Sequence, residues 1–193
     1  FHLLFQPQVD LNTGDITAME ALIRWQHPVR GEIMPDEFVP VAEDTGLIMP
    51  MGNWVLQNAC MQIKLLHQLL GRGVRVAVNL SARQFRDPGL QNVIEFALKT
   101  SGLDAQFLEI DITEAMLMDD LDCVREQMAR IRSTGVTITI DDFGTGYSSL
   151  KLLRSLPVDM LKIGQTFVRG MSAGGRNTDI ATASLAIAPQ MDM

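Results

Sequence analysis

Short runs of β-branched residues alternate with longer amphipathic stretches along the whole chain, and this rhythm limits the fold more than any other feature. It is the pattern of a parallel α/β fold, because each strand needs a crossover helix before its parallel neighbour. Residues 3–6 read as a first strand, 12–15 (Asn-Thr-Gly-Asp) as a turn and 16–24 as a second strand. A helix start at Pro35, Asp36 and Glu37 follows, and helical periodicity runs over 47–70 to a stop at Gly71. Strands are then expected at 74–79, 108–113, 137–142 and 160–163, with helices at 88–100, 119–132, 148–155 and 177–188. That makes about six strands in one domain with no internal linker.

Strand parity assigns the faces, since alternate side chains point to opposite sides of a sheet. Val74, Val76 and Val78 share one face, as do Ile110 with Ile112, Ile138 with Ile140, and Leu161 with Ile163. Those faces want a layer of helices. The opposite faces carry Arg75, Ala77 and Asn79; Glu109 and Asp111; Thr137, Thr139 and Asp141; Met160 and Lys162. An open doubly wound sheet would be apolar on both sides. One apolar and one polar side suits a barrel whose lumen opens into a site at the carboxyl ends of its strands.

Composition narrows the function. Hydrophobic residues make up 47% and charged residues 20% of 193 residues, as in ordinary globular proteins. No apolar run reaches the roughly 20 residues of a membrane-spanning helix, and no signal peptide opens the chain. The formal net charge of −7 argues against a binder of nucleic-acid polymers but leaves room for a small anionic ligand held through a metal. Cys60 and Cys123 are expected to be buried reduced thiols, which points to a cytoplasmic setting for this domain. The chain begins with Phe1, so a longer protein, membrane-anchored or not, is expected around it.

Glu20, Asn79, Asp111, Asp141 and Asp142 form a hard, all-oxygen ligand set suited to Mg²⁺, Mn²⁺ or Ca²⁺. The adjacent Asp141 and Asp142 can serve two ions about 4 Å apart, the usual apparatus for attack of water on a phosphodiester. Lys162 can orient that water or neutralise phosphoryl charge. Taken singly, each residue has a plainer reading: a helix cap for an Asp, an ion pair for Glu20 with Arg24, a loop bond for Asn79, core filling for Met116 and Met118. Their coincidence at successive strand ends favours the site. Gly144 and Gly146 flank Thr145 just after the paired aspartates, making either a phosphate-cradling nest or a hinge coupled to a partner surface.

In order and spacing, several segments resemble the EAL domain, a family of bacterial cyclic di-GMP phosphodiesterases on a modified (β/α)₈ TIM barrel. They are Gln6-Pro7, Glu20 to Trp25, Val78 to Ser81, Ile112 to Glu114, Asp141 to Leu150 and Leu161 to Ile163. The resemblance covers essentially all of 1–193. It implies that Glu20, Asn79, Asp111 and Asp141 hold a first metal, that Asp141 and Asp142 begin a second, and that Lys162 with Glu20 carries catalysis. It further implies substrate contacts at Gln6, Leu22 and Arg24. Glu114 would steady the loop containing Phe143, Gly144 and Gly146, through which a homodimer would form. Mg²⁺ or Mn²⁺ would support hydrolysis of cyclic di-GMP to linear pGpG, Ca²⁺ would inhibit, and sensory or GGDEF-type domains would flank the domain.

Three departures are visible. The family usually has Glu where this chain has Asp111, retracting the carboxylate by about 1.5 Å, one C–C bond. Metal–oxygen distances tolerate only about 0.2 Å. Gly164 replaces a usual Asp, and the chain ends before a late glutamate and glutamine and the last two barrel strands. These departures imply a partial EAL domain without turnover by itself. The alternative is a degenerate, non-catalytic module for sensing cyclic di-GMP or for dimerisation. An aldolase- or enolase-like barrel would need a base or Schiff-base lysine against a carbonyl substrate, and nothing beyond Lys162 suggests one.

Overall fold

A single twisted sheet organises the computed structural model, which describes residues 1–118, 121–144 and 153–170. Its strands are β1 (His2–Val9), β2 (Ile16–His27), β3 (Gly31–Ile33), β4 (Arg75–Asn79), β5 (Leu108–Thr113), β6 (Thr137–Phe143) and β7 (Met160–Ile163). The order is β1-β2-β4-β5-β6-β7, with β3 paired to β2. From β2 to β7 the path is parallel, as the alternation predicts. The helices are α1 (Pro35–Thr45), α2 (Ile48–Leu70), α3 (Ala82–Phe85), α4 (Leu90–Ser101), α5 (Leu121–Ser133) and α6 (Gln165–Gly170). The helix expected at 177–188 and most of that at 148–155 lie outside the described residues.

Two local features escape the parallel pattern. β1 and β2 form an antiparallel hairpin, closed by Asp10 Oδ1 accepting from the backbone of Asn12 (2.8 Å) and Thr13 (2.9 Å). Gly14 lies in the left-handed region at φ 77°, which a side chain would disfavour. β3 makes a seventh strand where six were expected. It pairs antiparallel with the end of β2 over only Trp25–His27, too short a run for periodicity to reveal.

Parity sorts the residues as expected. Val76, Val78, Ile110, Ile112, Ile138 and Ile140 are fully buried against Leu56, Ile63, Ile94, Met128 and Ile131 of the helices. On the other side lie Ala77, Glu109, Asp111 and Thr139, also buried. Two expectations need correction. Cys60 is buried on α2, but Cys123 is exposed: α5 buries Val124, Met128 and Ile131, and Cys123 falls about 100° off that stripe. Met116 fills the core, whereas Met118 is exposed where the 3₁₀ turn Glu114–Met118 ends.

β7 is located by a side chain. Asp159, just before it, accepts from the Ile138 backbone (2.9 Å) and from Arg132 Nη2 (2.7 Å), tying the strand's entry to β6 and α5. That anchor decides where Lys162 lies.

Candidate active site

The parallel register sets the acidic residues side by side. Asn79 of β4 is the direct neighbour of Asp111 of β5, and Thr113 of β5 is the neighbour of Asp141 of β6. Glu20 of β2 sits one step lower, opposite Ala77, whose small side chain leaves room above it. Asn79 Nδ2 reaches Glu20 Oε1 at 2.8 Å, linking β2 to β4 through side chains. Gln6 faces Glu20 across the hairpin, and Leu4 and His2 face Leu22 and Arg24. Gln6, Glu20, Leu22 and Arg24 therefore share one face. Arg24 donates to the Ile23 carbonyl at 2.8 Å. Among the described residues Glu20 and Arg24 make no ion pair.

Lys162 reaches across from β7. Its ammonium bonds Asp111 Oδ2 and stands 3.3 Å from Glu109 Oε1. Thr139 donates to the same Glu109 oxygen at 3.0 Å, and Arg75 Nε lies 4.0 Å from Glu109 Oε2. Strand parity puts Glu109, Thr139 and Arg75 on the lumen face but assigns them no role. The signal available was the spacing of Glu109 and Asp111, which puts two carboxylates on one face of one strand.

Burial dominates the electrostatics. It pushes the Asp111 carboxyl up to about 8 against the opposing pull of Lys162, with Glu109 and Asp141 adding to the rise. For Lys162, burial works against the charge, yet Asp111, Glu109 and Glu20 outweigh it and raise the ammonium's pKa. Asp142 is raised as well, by burial first and by Asp141 second.

The end of β6 turns sharply. Asp142 has φ 55°, a left-handed conformation that Asp tolerates better than most residues, and its N–H donates to Asp141 Oδ1 at 2.8 Å. The two carboxylates thus leave the strand in different directions. Gly144 follows at φ 94° and donates its N–H to Glu114 Oε2 at 2.9 Å, so Glu114 grips the start of the glycine-containing loop. Phe143 is buried between them. Gly146 lies outside the described residues.

Among the described residues, no three Asp, Glu, His or Cys side chains gather around one point. Glu20 is engaged by Asn79, and Asp111 by Lys162. The donor set nonetheless fits a hard cation. It consists of carboxylate and carboxamide oxygens. Asp111 Oδ1 is buried with no hydrogen-bond partner, an acceptor still open to a ligand. A cavity of about 540 Å³ adjoins Asn79, bounded by Leu22, Ile48, Met51, Leu80, Thr113 and Met116.

The sequence matches the EAL domain family model over residues 1–193. This chain belongs to the EAL family. It is 40% identical over 191 residues to the cyclic di-GMP phosphodiesterase NbdA of Pseudomonas aeruginosa, covering 99% of this chain and 24% of NbdA. It is 39% identical over 191 residues to MucR of the same organism, a bifunctional diguanylate cyclase/cyclic di-GMP phosphodiesterase, covering 99% of this chain and 28% of MucR. The EAL chain thus spans about a quarter of the length of these relatives. The solved MucR phosphodiesterase in complex with cyclic di-GMP superposes with a TM-score of 0.95 at 38% identity, over 100% of this chain and 78% of that one. The α/β fold and the family follow together.

Proposed function

We propose that this EAL domain is the metal-dependent phosphodiesterase unit of a longer signalling protein and hydrolyses cyclic di-GMP to linear pGpG. One observation carries the reading. Side chains pair Glu20 with Asn79 and Asp111 with Lys162, and the register sets Asn79 beside Asp111, so four strands bring these residues together in a chain of this family. Glu20, Asn79, Asp111 and Asp141 would hold a first Mg²⁺ or Mn²⁺, and Asp141 and Asp142 would begin the site of a second. Such ions lower the pKa of a bound water and neutralise phosphoryl oxygens, while Ca²⁺ would occupy the same ligands unproductively.

The chain's own groups do the rest. Lys162, kept charged by its carboxylate neighbours, supplies a fixed positive charge where phosphoryl charge develops. Arg24 and Gln6 share one face with Glu20 and Leu22, suited to hold a phosphate and the nucleotide edge. Glu114 holds Gly144 and so couples the loop after Asp142 to the site. In the whole protein that loop would pair two copies, with sensory or GGDEF-type domains alongside. A cytoplasmic domain fits this chemistry, and no helix among the described residues is long and apolar enough to cross a membrane.

The test is incubation of the full-length protein with cyclic di-GMP and Mn²⁺, followed by chromatography for pGpG. Turnover is expected, with Glu20→Gln and Asp142→Asn each losing at least about 100-fold, as for removal of a group that stabilises transition-state charge. Asp111 in place of the family's Glu, and Gly164 in place of its Asp, favour a second reading as a cyclic di-GMP sensor. Tight binding by calorimetry without turnover would replace the first reading by the second.

A further inference from the structure

Asp111 is asked to bind a cation from solution while already holding one of its own. The Lys162 ammonium bonds its Oδ2, at a carboxylate with no exposed surface. A divalent ion taking Asp111 would meet that ammonium at close range, where buried like charges repel strongly. The ammonium therefore needs somewhere else to go. Glu109 lies two residues earlier on the same face of β5, one step deeper in the sheet, and its Oε1 is already 3.3 Å from Lys162 Nζ. Thr139 fixes that oxygen at 3.0 Å, and Arg75 stands 4.0 Å from the other, which is buried and has no hydrogen-bond partner. Glu109 is thus a fully buried carboxylate only partly satisfied by its surroundings.

We propose that Lys162 is a tethered cation that occupies Asp111 in the metal-free chain, and that Glu109 is the positioning residue that takes the ammonium when a divalent ion claims Asp111. This rests on the reading of Asp111 as a metal ligand. The exchange breaks no covalent bond and needs no backbone movement, because a lysine's rotatable stem can shift its three donors between acceptors already in reach. Arg75 and Thr139 hold Glu109 in place from the floor of the lumen, so the acceptor exists before the ion arrives.

The proposal is tested by titrating Mn²⁺ alone into the metal-free protein by calorimetry, in one buffer at pH 8 and without nucleotide. Four forms are compared: wild type, Lys162→Met, Glu109→Gln and the double variant. Removing the tethered cation should tighten Mn²⁺ binding by roughly tenfold or more, the scale of a close charge–charge coupling. Glu109→Gln should weaken binding, because the ammonium is then left with Asp111. In the Lys162→Met background the same change should cost much less, and the difference between the two costs is the coupling. Simple loss of a nearby negative charge would cost the same in both backgrounds and would overturn the proposal. Unchanged or weaker binding by Lys162→Met, or no Mn²⁺ binding by any form, would overturn it as well. Thermal melts in chelator check that each variant folds, with Lys162→Gln and Glu109→Asp replacing any that does not. A failure to hydrolyse cyclic di-GMP would bear on the phosphodiesterase reading, since this titration contains no nucleotide.

Discussion

A carboxyl group buried beside a lysine makes the stability of this EAL domain depend on pH in an unusual direction. In the folded chain Asp111 keeps its proton to about 8, against 3.8 for the ordinary side chain, with burial as the leading cause. Between those values the folded state binds more protons than the unfolded one, so stability falls as pH rises through that window and the contribution is gone above about 8. Asp111→Asn should flatten this slope in the metal-free domain, and melting temperatures measured at intervals between the two pKa values would show it. Above that window Asp111 is ionised and paired with Lys162, and a metal must displace the lysine; within it the metal must displace the proton as well, which makes binding proton-releasing there. The two cysteines give a second residue-scale prediction. Burial pushes the Cys60 thiol up to about 12, while Cys123 is exposed. A thiol reagent should therefore label Cys123 in the native protein and Cys60 only after unfolding.

Among the elements, the contact of α2 with α3 is the most exacting. A Cβ at Gly52 would lie 1.7 Å from Gln84 Nε2 and 2.6 Å from its Cδ. Gln84 cannot swing aside freely. Its Oε1 accepts from the Ser81 backbone (3.1 Å) and hydroxyl (3.0 Å), while its own N–H donates to Ser81 Oγ at 3.2 Å, completing a capping box. Gly52→Ala should cost about 1–3 kcal/mol through this overpacking, read as a lowered melting temperature. It should also weaken Mn²⁺ binding, because the box begins two residues after Asn79 and orients that strand end. The box was open to recognition in the sequence as Ser81 followed three residues later by Gln84. Gly52 was not, because nothing within α2 says that another helix approaches it there.

At the scale of the molecule, stability is graded across the sheet. β4, β5 and β6 are each hydrogen-bonded on both sides and backed by fully buried Val76, Ile110 and Ile138. Among the described residues β1 and β7 have one paired neighbour each. Amide exchange of the metal-free domain should be slowest at Ile110 and Ile138 and faster in β1 and β7. Equal protection across the sheet would contradict this grading. The gradient matters for function because Asp111 sits on a strand paired on both sides while Lys162 sits on β7, which has one paired neighbour among the described residues and is anchored by Asp159. The strand expected to exchange faster thus carries the side chain that the tethering proposal requires to shift.

The alternation of strands and helices, the two faces of each strand and the row of oxygen-bearing residues along them were legible in the residues alone. All of these are local periodicities or motifs, and parity within one strand reads them directly. The family was legible as well, through motifs spread over the whole chain. Long-range packing settles which of two carboxylates on one face of β5 holds Lys162, that Asn79 bonds Glu20, and that Cys123 and Met118 face outward. Those outcomes depend on register between strands and on the approach of helices, which no single segment encodes. The same limit hid β3, whose three residues carry no period of their own. Glu109 shows the boundary most clearly: its face was legible, but its partners come from three other strands.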